Sequence, residues 1–149
     1  MQKILSLLIS ATILMLAALP AQARDTQYLL PIQDGLNTKD AESKLSGTVK
    51  FYFADQPHPA VLETLATDFS NRKTNSFGKP DEVACNWAFL SALLAFETRA
   101  KQLGANAVVN IVSYYKKDEM ASSSKFECHA GAIVAGVALK GDFVKIADK

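Results

Sequence analysis

Cysteine, histidine and tryptophan are scarce in this 149-residue chain, which has two cysteines, two histidines and one tryptophan. No Cys-x-x-Cys pair occurs, which removes the common structural zinc patterns. No G-x-S-x-G elbow occurs, which removes the strand-turn-helix nucleophile of the α/β-hydrolases. A phosphate-binding loop needs G-x-x-x-x-G followed by Lys and then Ser or Thr. The nearest match, Gly131 to Gly136, is followed by Val137 and Ala138, so it lacks both the cation and the metal-binding hydroxyl. Charge of one sign is missing too: 16 Lys and Arg stand against 15 Asp and Glu. Nucleic-acid binding depends on a clustered cationic surplus, so that partner class is not expected.

Long hydrophobic runs are absent after the first 20 residues, but the N-terminus has one. Lys3 precedes an apolar stretch from Ile4 to Leu19, Pro20 breaks it, and Ala21-Gln22-Ala23 is a small-residue cleavage pattern. Residues 1–23 therefore read as a secretory signal peptide, cut between Ala23 and Arg24. No cysteine lies at the cut, so no lipid anchor is expected. Removal takes away one lysine and no acid, leaving 15 basic and 15 acidic side chains on 126 residues. The expected product is one neutral, periplasmic or secreted domain with no membrane span.

Export changes the reading of the two cysteines, Cys85 and Cys128. In an oxidising compartment the expectation is one disulfide between them, with free thiols or a metal site as alternatives. The bond would close a loop of about 44 residues, worth roughly 4 kcal/mol at most in the chain-entropy picture.

Residues 24–46 form an N-terminal lead-in, with turn signals at Asp34-Gly35 and Asn37-Thr38. Thr38 is placed to cap a short helix from Lys39 to Leu45, ended by Gly47. The domain proper spans 47–149. Thr48 to Ala54 alternates as a strand, and the proline-containing stretch 55–59 is a loop. Val61 to Asn71 reads as a second strand, with a short helix over Ala60 to Ala66 as the competing assignment. Asn71 to Lys79 reads as a polar loop.

Pro80 to Leu103 is the strongest helix, with acids in its first turn and Gly104 as terminator. Its apolar faces are Cys85, Phe89, Ala92, Phe96, Ala100 and Leu103, and beside them Val83, Trp87, Leu90 and Leu94. That width predicts a first half largely buried. Asn106 to Tyr115 reads as a central strand and Lys116 to Lys125 as a hairpin connection. Phe126 to Ile146 reads as an extended stretch, bulged or bent at Gly131, Gly136 and Gly141. The predicted fold is α+β: a small antiparallel sheet in β-β-α-β-β order, with one long helix packed on one face.

No residue is assigned a catalytic, cofactor-binding or metal-binding role. Arg72 and Lys73 form the one locally basic segment and are the candidate anion-binding loop. His58 and His129, with the thiols, are the candidate set for a small-ligand or metal binder. Cys128 and His129 are strand neighbours and should point to opposite faces, which works against a shared metal. An unpaired sheet edge is a route to homo-oligomers.

Three segments carry a family resemblance: Cys85-Asn86-Trp87-Ala88-Phe89-Leu90, then Lys101 to Ile111 (KQLGANAVVNI), then Glu127-Cys128-His129-Ala130-Gly131. Together they resemble a family of small secreted bacterial proteins whose members often carry the label "excinuclease ATPase subunit". The similarity covers nearly all of the chain after residue 23, but the label's ATPase activity finds no phosphate-binding motif here. Leu103 to Val109 also resembles the YbjQ family and the envelope-stress sensor RcsF. That likeness implies a helix packed on a small sheet and, from RcsF, disulfide stabilisation and a sensing role. This chain differs from RcsF in having two cysteines rather than four and no lipid-anchor cysteine. The functional expectation is an exported, non-enzymatic module for binding or for envelope maintenance under stress.

Overall fold

A computed structural model describes residues 23–147. The expected signal peptide, apart from Ala23, lies outside the described residues. The elements are β1 (Thr26–Pro31), α1 (Ile32–Leu36), α2 (Lys39–Lys44), β2 (Lys50–Phe53), β3 (Val61–Asn75), α3 (Asp81–Leu103), β4 (Ala107–Ser113), a 3-10 turn (Tyr115–Lys117), β5 (Lys125–Ala130) and β6 (Val134–Ile146). The fold is mixed α and β, with a curled six-stranded sheet, one long helix and one disulfide. Among the described residues no helix is long and apolar enough to cross a membrane.

Strand β6 organises the sheet. One of its sides carries β3 along nearly the whole length, from Val61 opposite Ile146 to Asn75 opposite Val134. Its other side is shared. Near Val134 it meets β5, which pairs in turn with β1; toward Ile146 it meets β4, which pairs with β2.

This topology corrects the expected β-β-α-β-β order in three places. Thr26–Pro31, inside the supposed lead-in, is a strand, because β5 offers it a complete antiparallel ladder from Ala130 to Lys125. The last stretch is two strands joined by a tight turn, in which the Gly131 N–H donates to the Val134 carbonyl at 2.7 Å. The sheet is also not purely antiparallel, since β2 and β4 run parallel. They are separated in sequence by β3 and α3, a connection long enough for a parallel crossover.

Smaller corrections have local causes. β3 is a strand from its start, so the competing helix is not formed, and it continues through Arg72 and Lys73. Those residues stand opposite Val137 and Gly136, not in a loop, because β6 extends far enough to template them. Segment 116–125 does not link two paired strands as a hairpin, since β5 and β4 are each paired to β6. β6 runs unbroken through Gly136 and Gly141. At Gly141 the strands come close: a Cβ there would lie 2.7 Å from Val108 Cγ1. In β4, Asn110 adopts a positive φ of 53°, and the register with β6 shifts between Val109 and Val112. The bulge turns Val108 and Ile111, three residues apart, into the same core, where simple alternation would separate them.

Helix α3 forms as its sequence dictates. Pro80 precedes it, Asp81 and Glu82 sit in its first turn, and Gly104 closes it with φ 76°. Thr38 caps α2, its Oγ1 accepting from the Ala41 N–H at 3.2 Å, and α2 ends at Lys44, with Leu45 as its C-cap. α3 buries Cys85, Phe89, Ala92, Phe96 and Ala100 on the sheet. Phe89 stacks on Phe126 with centroids 4.1 Å apart, and Phe96 meets Phe143 edge-on at 5.2 Å. The second face is less covered than expected. Leu90 is buried, but Trp87 is 37% and Val83 56% exposed, because the short α1 and α2 leave that flank of α3 partly uncovered. Cys85 and Cys128 are bonded, with Cα atoms 5.8 Å apart, and tie α3 to β5 inside the core.

Candidate functional site

The alternation of β5 decides what faces outward. Phe126, Cys128 and Ala130 enter the core, while Glu127 and His129 share the opposite face. The β1–β5 register sets Gln27 opposite His129, which brings Asp25, two residues earlier, to the diagonal position. Asp25 Oδ1 lies 2.9 Å from His129 Nδ1, and Glu127 Oε1 lies 2.5 Å from His129 Nε2. The imidazole is thus held between two carboxylates, with 14% of its side chain exposed.

Tyr115 completes the cluster. Its ring stacks on the imidazole at 3.4 Å between centroids and 10° between planes, and its hydroxyl donates to Asp25 Oδ2 at 2.8 Å. The turn presenting it is conformationally unusual: Lys116 and Lys117 adopt positive φ values of 50° and 70°. The Tyr115 hydroxyl, chiefly, and His129 hold the Asp25 carboxyl below its ordinary value. The same hydrogen bond pushes the Tyr115 phenol up. On the inner side, the Glu127 N–H donates to Ser113 Oγ at 2.9 Å.

A latch beside the cluster fixes the N-terminal residues. Arg24 grips Asp81 with two nitrogens, at 2.7 and 2.9 Å, and donates to the Gly131 carbonyl at 2.6 Å. Tyr28 donates to Asp81 Oδ2 at 2.7 Å. Arg24 and then Tyr28 lower the Asp81 carboxyl to about 2.

Cluster and latch border a cleft of about 660 Å³. Lys73, Lys116 and Asn71 supply polar groups; Ile133, Val134 and Ala138 supply apolar surface. Among the described residues neither Lys73 nor Lys116 has a carboxylate within ion-pair distance. Lys116 Nζ lies 5.0 Å above the Tyr115 ring.

Both imidazole nitrogens are engaged by carboxylates. A ring donating from both nitrogens satisfies both carboxylates; a ring donating from one leaves a carboxylate facing a lone pair unless that acid keeps its proton. Neither nitrogen is directed at a hydroxyl or thiol nucleophile, and Cys128 is bonded to Cys85 on the core side.

The residues singled out from sequence fall in different places. His58 follows β2, at the far end of the strand path from β1 and β5; its Nδ1 lies 2.8 Å from the Pro59 carbonyl and its ring 5.5 Å from that of Tyr52. It is not brought to His129, and the sulfurs are committed to each other. Among the described residues no group of three or more His, Cys, Asp or Glu is arranged to hold a metal ion. Lys73 reaches the His129 cleft, while it and Arg72 also border a separate depression beside α3 and Arg99.

Tyr115, one of four aromatic residues that the sequence offers as lining for a ligand groove, does border the cleft, whereas Tyr52, Tyr114 and Trp87 do not; Asp25, Glu127 and the Arg24–Asp81 latch are not singled out by the sequence. The i, i+2 spacing of Glu127 and His129 was the one signal available for any of them. No protein-family model, curated protein or solved structure matches this chain.

Proposed function

We propose that this chain is an exported, non-enzymatic binding module of the bacterial envelope, and that its ligand is a small organic anion with an apolar body. The observation that carries the reading is the cleft bordered by His129, where two ammonium groups without carboxylate partners among the described residues, Lys73 and Lys116, overlook an apolar wall of Ile133, Val134 and Ala138. Ligand sites typically have this form: a few hundred cubic ångströms, mostly apolar, with a small number of convergent polar groups. The imidazole held between two carboxylates and the stacked Tyr115 give the cleft one rigid side, which lowers the ordering cost of binding. Export supports the same reading, since the leader-like N-terminus and the disulfide both suit an oxidising compartment.

The test is calorimetric titration of the processed protein with short-chain aliphatic carboxylates, and with alcohols and amines of the same length. Saturable binding of the carboxylates alone, lost in a Lys73→Glu, Lys116→Glu double variant, is the expected result. Equal affinity for the alcohols, or carboxylate binding indifferent to both substitutions, overturns it. Mass spectrometry of envelope-fractionated protein checks the export half, with Arg24 expected as the first residue.

A further inference from the structure

Strand β3 is paired on one side only. Its ladder with β6 runs over thirteen register positions, and no described strand meets its other edge. Such an edge is a template for another strand unless something blocks it. Here the block is partial. Irregularities between Val61 and Glu63 and between Thr64 and Ala66 disrupt the first third; from Ala66 to Asn75 the pairing with β6 is regular, though the Phe69 N–H there donates to Asp68 Oδ1 at 2.8 Å, a contact a new strand would have to displace.

Ser70, at the centre of that regular stretch, lies under α3 at 8% exposure, and its hydroxyl has no hydrogen-bond partner among the described residues. On the opposite face of the strand, Phe69 is 59% exposed. The Ser70 hydroxyl lacks a partner, the Phe69 ring is covered only in part by that of Tyr114, 5.7 Å away between centroids, and both residues lie on the strand with the open edge.

We infer that β3 pairs antiparallel with β3 of a second copy of this chain, about a two-fold axis at Ser70. A two-fold perpendicular to the sheet sets one residue opposite itself, which limits the possible registers. Centring on Asp68 or on Arg72 sets like charges face to face, which is destabilising. Centring on Ser70 sets Asp68 opposite Arg72 of the second copy, twice by symmetry. Ser70 then faces Ser70 of the second copy, within reach of a hydroxyl–hydroxyl hydrogen bond, and the unpartnered group is satisfied. Phe69 comes diagonal to Phe69 of the second copy, and the exposed rings cover one another.

The helices fit the same arrangement. α3 packs on both β6 and β3. One added strand spacing of about 4.8 Å therefore sets two such helices about 10 Å apart, a normal packing distance. The flank each presents carries Ser91, Ala95 and Thr98, small enough for close approach, beside the depression of about 650 Å³ that also includes Arg72 and Arg99. The inferred dimer fills this depression.

Sedimentation velocity of the processed protein over a concentration series tests the inference. A monomer–dimer equilibrium is expected. Asp68→Arg alone and Arg72→Asp alone should each weaken the dimer about tenfold or more, and the two combined should restore it, because the charges are exchanged across the axis. Asp68 also pairs with Arg99 at 3.1 Å within its own chain, so a second variant avoids that contact. Ser70→Cys should give a covalent dimer on mild oxidation, read on a non-reducing gel. A chain monomeric throughout, an assembly larger than a dimer, or a dimer indifferent to the charge exchange and not trapped by Ser70→Cys overturns the inference.

Discussion

Arg24 and Asp81 form a bidentate ion pair, 2.7 and 2.9 Å, between the first residues of the described chain and the first turn of its long helix. Tyr28 donates to the same carboxylate, so one side chain on α3 holds both the segment before β1 and β1 itself. The position also suits an anion, since Asp81 lies at the positive end of the helix dipole.

The latch gives the fold an acid-sensitive component. Its partners lower Asp81 from 3.8 to about 2. A carboxyl depressed on folding stabilises fully above its unfolded value and loses that contribution as pH falls through the folded one. The melting temperature of the native chain should therefore exceed that of Asp81→Asn above about pH 4, and the gap should close as pH falls toward about 2. Thermal melts of both proteins across that range check the sign; a gap widening toward acid contradicts the assignment.

The Cys85–Cys128 bond spans 43 residues and joins helix to sheet. Chain-entropy reasoning credits a loop of that size with about 4 kcal/mol. Cys85→Ala should lower the unfolding free energy by about that amount, and reductant should do nearly the same to the native chain. Urea unfolding with and without reductant measures it, and thiol titration of the denatured, unreduced protein should find no free thiol.

Legibility divides along local and non-local lines. Helix α3 is legible because its signals are local: Pro80, Asp81 and Glu82 at one end, Gly104 at the other, and an apolar stripe from Cys85 to Ala100. The disulfide is legible because only two cysteines exist. Strand β1 is not, because Thr26 to Pro31 is short, ends in proline and is defined by β5, about a hundred residues away. The continuation of β3 through Arg72 and Lys73 is likewise decided by β6, not by the polarity of the segment. The candidate site follows the same rule. Glu127 and His129 share a face by simple alternation, but Asp25 arrives through strand register and Tyr115 through a strained turn, neither of which leaves a periodic trace.

Gly141 marks a close approach within the sheet. A Cβ there would stand 2.7 Å from Val108 Cγ1 and 3.1 Å from Ile111 Cγ1, both on the bulged strand β4. Those side chains are wholly buried and have little room to move. Gly141→Ala should cost about 1–3 kcal/mol by overpacking. A Val108→Ala, Gly141→Ala double variant should lose less than the sum of the two single changes, since the smaller side chain removes the clash. Urea titration of the four proteins reads the coupling directly.

Tyr115→Phe isolates one hydrogen bond of the His129 cluster. The ring remains, and so does its stacking on the imidazole; only the donor to Asp25 Oδ2 is lost. That donor is the largest of the influences holding Asp25 below its ordinary value, so the carboxyl should titrate higher in the variant. Because a depressed carboxyl stabilises above its unfolded value and fades as pH falls through the folded one, the variant should lose stability at neutral pH and show a shallower acid limb. Carbon-detected NMR titration of the Asp25 carboxyl checks the direction of the shift, and an unchanged titration would show that the Tyr115 hydroxyl does not set the charge state of Asp25.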